Sequence, residues 1–194
     1  LSRGSRNPSR SAAVSRVAAV VASLGRPGQA APIVLIDGPS GAGKSTLADE
    51  LVGSWPLADT PELVRLDDIY PGWDGLDAAS EQVVVDLLDP LRRGEPAGWW
   101  RHDWLADRRA EWHEVTQGTP LIIEGCGSLS AASARLADLA VWLDADDVIR
   151  KRRALERDAG AFDAHWDEWQ AQFERFVARE APRARAALVL DGTA

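Results

Sequence analysis

The residues best suited to chemistry lie together in GPSGAGKST, Gly38 to Thr46, where Gly38, Gly43, Lys44 and Ser45 satisfy the spacing G-x-x-x-x-G-K-[ST]. Glycines so placed let the backbone turn tightly and aim consecutive N–H groups at phosphate oxygens. Gly38, Pro39, Ser40, Gly41, Ala42, Gly43, Lys44, Ser45 and Thr46 are therefore candidate contacts to a nucleoside triphosphate, with ATP the expected cofactor. The motif directs Lys44 to the β- and γ-phosphates and the Ser45 hydroxyl to Mg²⁺. Lys44 also stands out by rarity, since Lys151 is the only other lysine among 22 basic residues.

Such a loop works only between a strand that delivers it and a helix whose N-terminus faces the anion. Both are legible. PIVLID (32–37) is a short apolar, β-branched run, and KSTLADELVGS (44–54) has helical character. Further strands are predicted at 62–68, 119–125, within 136–144 and at 186–192, with helices at 77–94, 144–158 and 162–176. Pro90 should kink or split the helix over 77–94. Strands alternating with helices imply parallel pairing through crossovers, hence an α/β fold: a three-layer, doubly wound parallel sheet carrying the phosphate loop.

At 194 residues the chain suits one domain with an appendage. Residues 1–30 read as a basic arm followed by a short helix, with Val14, Val17, Val20, Val21 and Leu24 on roughly one face, and 31–194 as the main domain. An Arg-rich, acid-free start also fits a transit peptide or a membrane-surface helix. A helix packed on the following domain needs no further assumption. The formal charge of -8 hides an asymmetry, because the first 36 residues hold five arginines and no acid, leaving -13 for the rest. That balance argues against nucleic acid as a partner, and no apolar run is long enough for a membrane span. The single cysteine, Cys126, cannot form an internal disulfide, which suits the cytoplasm. Neither it nor His113 and His165 have metal-site spacing. The sole asparagine is Asn7, so the N-K-x-D element of guanine-specific switches is absent, as is an LSGGQ-like signature.

Five segments, GPSGAGKST, RLDDIY (65–70), HDWLADRR (102–109), LIIEG (121–125) and RKRRALERD (150–158), resemble in order the landmarks of the uridine kinase and phosphoribulokinase branch of P-loop kinases. The resemblance implies that Asp67 takes the place of the catalytic base, with Asp68 beside it an equal claimant and Tyr70 completing the element. It implies that Glu124 helps to hold the Mg²⁺ shell. A carboxylate directly after the apolar run Leu121–Ile123 also emerges at the sheet edge where α/β proteins bind ligands. Arg150, Arg153 and Arg157 fall at i, i+3 and i+7 in the segment matching the arginine helix of these kinases. One helical face can then present guanidinium groups to the donor and the transferring phosphoryl group, Arg150 to the former, Arg153 and Arg157 to the latter.

The departures concern the acceptor. His102, Asp103 and Trp104 stand where uridine kinases carry a Y-D-F-like hairpin element, and Asp107 replaces a later histidine, although Arg109 matches. The Asp-rich ribose stretch is replaced by PGWDGLD (71–77), where Asp74 or Asp77 can serve. Nine tryptophans against three phenylalanines and one tyrosine mark Trp as the main large ring. Trp99, Trp100, Trp104 and Trp112 belong to a hairpin, which either stacks on an acceptor or packs on the sheet. Trp73, close after Asp67, is the better pocket candidate. Asp68, Tyr70, Trp73, Asp103, Trp104 and Arg109 form the expected acceptor site, with segments near 97–115 and 157–176 as lids. Phe162, Trp166, Trp169, Phe173 and Phe176 recur at steps of four and three, a stripe that usually means core.

The expected function is transfer of the γ-phosphoryl group of ATP, with Mg²⁺, to a hydroxyl or phosphate of a small-molecule acceptor, a nucleoside or nucleotide included. The rival is a regulatory or assembly ATPase with no such acceptor. Oligomeric state is not legible.

Overall fold

A computed structural model of the chain describes residues 8–25, 30–157, 160 and 162–193. Most of the arm, including Arg3 and Arg6, lies outside the described residues, as does Asp158. The strands are β1 (Ile33–Asp37), β2 (Glu62–Arg65), β3 (Ala97–Asp103), β4 (Arg108–Val115), β5 (Leu121–Glu124), β6 (Leu139–Asp144) and β7 (Leu188–Asp191). Five of them form a parallel sheet in the order β2-β5-β1-β6-β7, while β3 and β4 pair only with each other. Because β1 is central and lies between β5 and β6, all five of its residues are buried, which is why the sequence there is an unbroken apolar run.

Alternate strand residues face opposite layers. Val34, Ile36, Leu139, Val141 and Leu143 pack with α1 (Pro8–Leu24) and α2 (Lys44–Gly53). Ile33, Leu35, Ala140 and Trp142 pack with α3 (Leu76–Gln82), α5 (Asp147–Arg157) and α6 (Trp166–Glu180). This is the three-layer, doubly wound P-loop architecture. Val14, Val17 and Val21 bury α1 against the phosphate-loop helix, so the first helix is part of the domain rather than an appendage to it.

Local departures have physical causes. The helix after Gly75 does not break at Pro90. It widens into a π-helical run, Val83–Leu88, and continues as α4 (Asp89–Arg93), which Gly94 closes at φ 72°. A proline lacks the N–H for a bond four residues back and its ring crowds that carbonyl, a conflict that the wider turn relieves. The predicted strand over 62–68 stops at Arg65 and turns through one 3-10 turn, Leu66–Asp68, which carries both aspartates off the sheet edge.

Candidate active site

The sheet register brings the chemistry to one edge. Ile36 and Arg65 both pair with Glu124, so the ends of β1, β2 and β5 project the phosphate loop, the Leu66–Asp68 turn and the loop after Glu124 toward one place. Gly41 cannot be replaced there without movement. Its φ is 78°, and a Cβ would stand 1.9 Å from the carbonyl oxygen of Arg150. Gly43, at φ 96°, is the left-handed cap from which α2 starts.

Lys44 is buried beneath this loop. Its Nζ donates to the carbonyls of Gly38 at 2.8 Å and Pro39 at 3.0 Å and lies 3.3 Å from Cys126 Sγ. Burial works against its charge. The Cys126 sulfur and the carboxylates of Glu124, Asp37 and Asp67 outweigh it and hold the ammonium above its ordinary pKa. Glu124, also buried, accepts from Arg65 at 3.3 Å. Burial raises its carboxyl pKa, while Lys44, hydrogen bonding from Ser45 and Arg65 restrain the rise.

Two cavities meet at the loop. The first, about 230 Å³, is lined by Ser40, Gly41 and Gly43 to Thr46 of the loop, the buried Ala42 not among them, together with Asp67, Glu124, Arg153, Arg157 and Arg10 of the first helix. The second, about 350 Å³, is walled by Tyr70, Trp73, Trp104, Phe162 and Trp169. Ser40, Asp67 and Arg157 line both, and Arg157 Nη2 lies 3.8 Å from Asp67 Oδ2 at the junction. Mg²⁺ fits the first cavity by donor chemistry, since the Ser45 hydroxyl and the Glu124 carboxylate are hard oxygen ligands facing one space. No cluster of three ligating side chains occurs among the described residues, so a cation there must complete its shell with phosphate and water oxygens.

The structure divides the expected residues. Tyr70, Trp73 and Trp104 join Asp67 around the second cavity; Asp68 lines neither cavity and is exposed, with Arg65, Arg101 and His113 near enough to act on its charge. Partial loss of solvent around the carboxyl, followed by the charge of Asp67, raises the Asp68 pKa against the pull of those three. Asp103 accepts from the backbone N–H groups of Leu105 and Ala106, each at 3.1 Å, and so fixes the hairpin turn. Arg109 sits over the Trp100 ring and, with His102, lines a different cavity of about 310 Å³ behind the 69–71 turn. Arg153 donates to the carbonyls of Gly192 at 2.6 Å and Thr193 at 2.8 Å while lining the first cavity. Arg150 does not join Arg153 and Arg157 there. Asp147 at 2.7 Å and Gln170 at 3.0 Å bind its guanidinium against α6, so it ties two helices together.

Asp37, Cys126 and Arg10 also belong to the site, although the motif spacing does not include them. Asp37 is fully buried and accepts from Gly38 N–H at 2.6 Å, Gly127 N–H at 3.1 Å and Leu129 N–H at 2.9 Å, binding the start of the phosphate loop to the 125–129 loop. Burial pushes its carboxyl up to about 6, against the pull of the Leu129 N–H, Lys44 and the other two amides. The signal was available, since a charged residue ending an apolar strand marks Asp37 as it marks Glu124. Trp169 adds a second tie, its indole N–H donating to Ser40 Oγ at 3.0 Å.

Residues 34–165 match the family model described as "AAA domain". A uridine kinase of Lactobacillus johnsonii is 31% identical over 143 residues, covering 66% of this chain and 68% of that protein. A cytidylate kinase of an Enterobacter species is 26% identical over 202 aligned positions, covering 84% and 89%. Among solved structures, a possible uridine kinase from Bacillus stearothermophilus superposes with a TM-score of 0.65 at 17% identity, covering 92% of this chain and 97% of its own. A putative fructose transport system kinase from a Silicibacter species gives 0.61 at 19% identity, covering 91% and 98%. At these identities the two structural likenesses establish the fold.

Proposed function

The chain belongs to the AAA-domain family of P-loop proteins, with uridine and cytidylate kinases among its relatives, and on that footing we propose that it transfers the γ-phosphoryl group of ATP to a hydroxyl or phosphate of a small molecule. The observation that carries this reading is the meeting of two cavities at Ser40, Asp67 and Arg157. In-line transfer requires the donor phosphorus and the acceptor oxygen about 3–3.5 Å apart within one enclosure. A protein that only hydrolyses or senses a nucleotide has no use for the second space.

The roles follow from position. Loop N–H groups and Lys44 hold the phosphates, with Lys44 exchanging its bonds to the Gly38 and Pro39 carbonyls for phosphate oxygens. Arg153 and Arg157 face the transferring group and stabilise the charge that develops on it. Asp67 orients the acceptor hydroxyl and takes its proton. Ser45 and Glu124 hold Mg²⁺, which when bound neutralises charge on the phosphates.

The test is ADP release from ATP and Mg²⁺ against nucleosides, nucleotides, sugars and other hydroxylated compounds. At least one acceptor should raise turnover above the water background. Asp67→Asn should then lower kcat about 10²- to 10⁴-fold while leaving ATP affinity within a few-fold. A background that no acceptor raises would overturn the kinase reading and point to a regulatory ATPase.

A further inference from the structure

We propose that the acceptor is a neutral alcohol with a flat, largely apolar ring body, bound among aromatic side chains and presenting one hydroxyl to Asp67; this rests on the kinase reading above. Five aromatic side chains wall the second cavity, and most of their polar handles are already committed. Tyr70 Oη donates to the Cys126 carbonyl at 2.8 Å, Trp104 Nε1 to the Asp67 carbonyl at 2.8 Å, and Trp169 Nε1 to Ser40 Oγ at 3.0 Å. Of the described rings that wall this cavity, Trp73 alone has a polar hydrogen, its indole N–H, with no hydrogen-bond partner. Trp73 is itself held in a stack, 4.3 Å from the His165 ring at 7° and 5.3 Å from the Phe162 ring at 18°.

The remaining charged groups among the described lining residues, Asp67 and Arg157, are shared with the phosphate cavity. The cavity therefore offers polar recognition at its reacting end and aromatic side chains elsewhere. A pyrimidine base and a ribose each bring several groups that must be hydrogen-bonded, and each group left unpaired costs about 1–3 kcal/mol. A flat apolar body brings none and gains ring stacking of about 0.5–1.5 kcal/mol per pair. A cationic body would be drawn to ring faces as well, but Arg157 already supplies positive charge beside Asp67.

The wild-type chain, with ATP and Mg²⁺, should be assayed for acceptor-dependent ADP release with 2-phenylethanol, indole-3-ethanol, uridine, cytidine and fructose. The ring alcohols should show kcat/KM at least about tenfold above uridine. Trp73→Ala should raise their KM about tenfold with less change in kcat, because the ring binds ground state and transition state alike, and Trp73→Phe should restore much of the loss. Uridine, cytidine or fructose equalling the ring alcohols overturns this acceptor class and leaves the kinase intact. ADP release that none of the five compounds raises overturns this class, and extending that result across the broader panel overturns the kinase reading as well.

A separate observation concerns the basic start of the chain. Arg10, in the first turn of α1, lines the phosphate cavity with Lys44, Arg153 and Arg157, and among the described residues it forms no ion pair. A cation at the positive end of a helix is unfavourable, and that first turn contains no acid to offset it. Val14, Val17 and Val21 nevertheless fix the helix in one apolar cluster with Ala42 and Leu47 of the loop and α2. The geometry points to Arg10 as an added donor-phosphate ligand, supplied by a helix outside the 34–165 match to the family.

Calorimetric titration of ATP and of adenosine into wild type, Arg10→Ala, Arg10→Lys and Lys44→Ala tests this. Arg10→Ala should weaken ATP about 5- to 30-fold and leave adenosine unchanged, with Arg10→Lys intermediate. ATP binding by Arg10→Ala equal to wild type, alongside a weakened Lys44→Ala, overturns the role of Arg10 and spares the phosphate loop. Failure of the wild type to bind ATP overturns both.

Discussion

The two cavities are built by opposite means. The phosphate cavity is organised around one short loop, which contributes Ser40, Gly41 and Gly43 to Thr46 to its lining and is held by glycine geometry and by buried charges at strand ends. The ring cavity is assembled from the 67–73 turn, Trp104 at the tip of the β3–β4 hairpin, Phe162, and Trp169 on α6. Backbone recognition of a phosphate is independent of what the rest of the ligand is, whereas a wall of side chains from several elements can be rebuilt one ring at a time. On the proposed reading the difference separates a fixed donor site from an adjustable acceptor site, and Asp67 and Arg157 line both cavities.

The largest effect should come from the fixed side. Lys44→Ala removes the loop's buried ammonium, so phosphoryl transfer should fall by about 10³-fold or more for every acceptor tried. Kinetics with two unrelated acceptors would check this. A loss confined to one acceptor would mean that the donor site is not independent of the ring cavity.

The same contrast explains what could be read in advance. Lys44 and Ser45 were legible because phosphate chemistry demands them at fixed spacing, and Glu124 because it ends an apolar run. Arg150 shows the limit of spacing. It shares a helical face pattern with Arg153 and Arg157, yet Asp147 one turn before it and Gln170 from another helix bind its guanidinium. The stripe over 162–176 was readable as core, and Trp166, Phe173 and Phe176 are buried with the rest of their cluster. That Phe162 and Trp169 also wall a cavity depends on how α6 meets the phosphate loop, a tertiary fact with no local sequence signature.

An intermediate effect should appear at Asp37, which locks the donor side to the sheet. Its carboxyl titrates near 6 in the fold against 3.8 for an ordinary aspartate, so the folded chain keeps this proton to higher pH than the unfolded chain does. The contribution is present in full below about pH 3.8 and is lost as pH rises through 6, a swing of up to about 3 kcal/mol. Asp37→Asn removes this dependence and sets an amide N–H against the Leu129 N–H, which costs about 1–3 kcal/mol. Denaturant unfolding of both proteins from pH 4 to 7 should find the variant's deficit largest near pH 4 and smaller by pH 7. A deficit that stays constant or widens would show that the three amides, rather than burial, control this carboxylate.

The smallest effect should come from the seam between the two sides. Trp169→Phe keeps a ring in the acceptor wall and deletes only the N–H that reaches Ser40 Oγ. Losing one such hydrogen bond is worth about 0.5–1.5 kcal/mol, and the Ser40 hydroxyl still lies 3.4 Å from Cys126 Sγ. Ser40 lines both cavities, so the change should raise KM for ATP and for the acceptor together, by about two- to tenfold, with kcat moving less. If only the acceptor KM rises, Trp169 is a wall residue and nothing more. A joint rise would mean that α6 transmits the occupancy of one cavity to the other, because the indole N–H is the direct bond from the ring wall to the phosphate loop that this substitution removes.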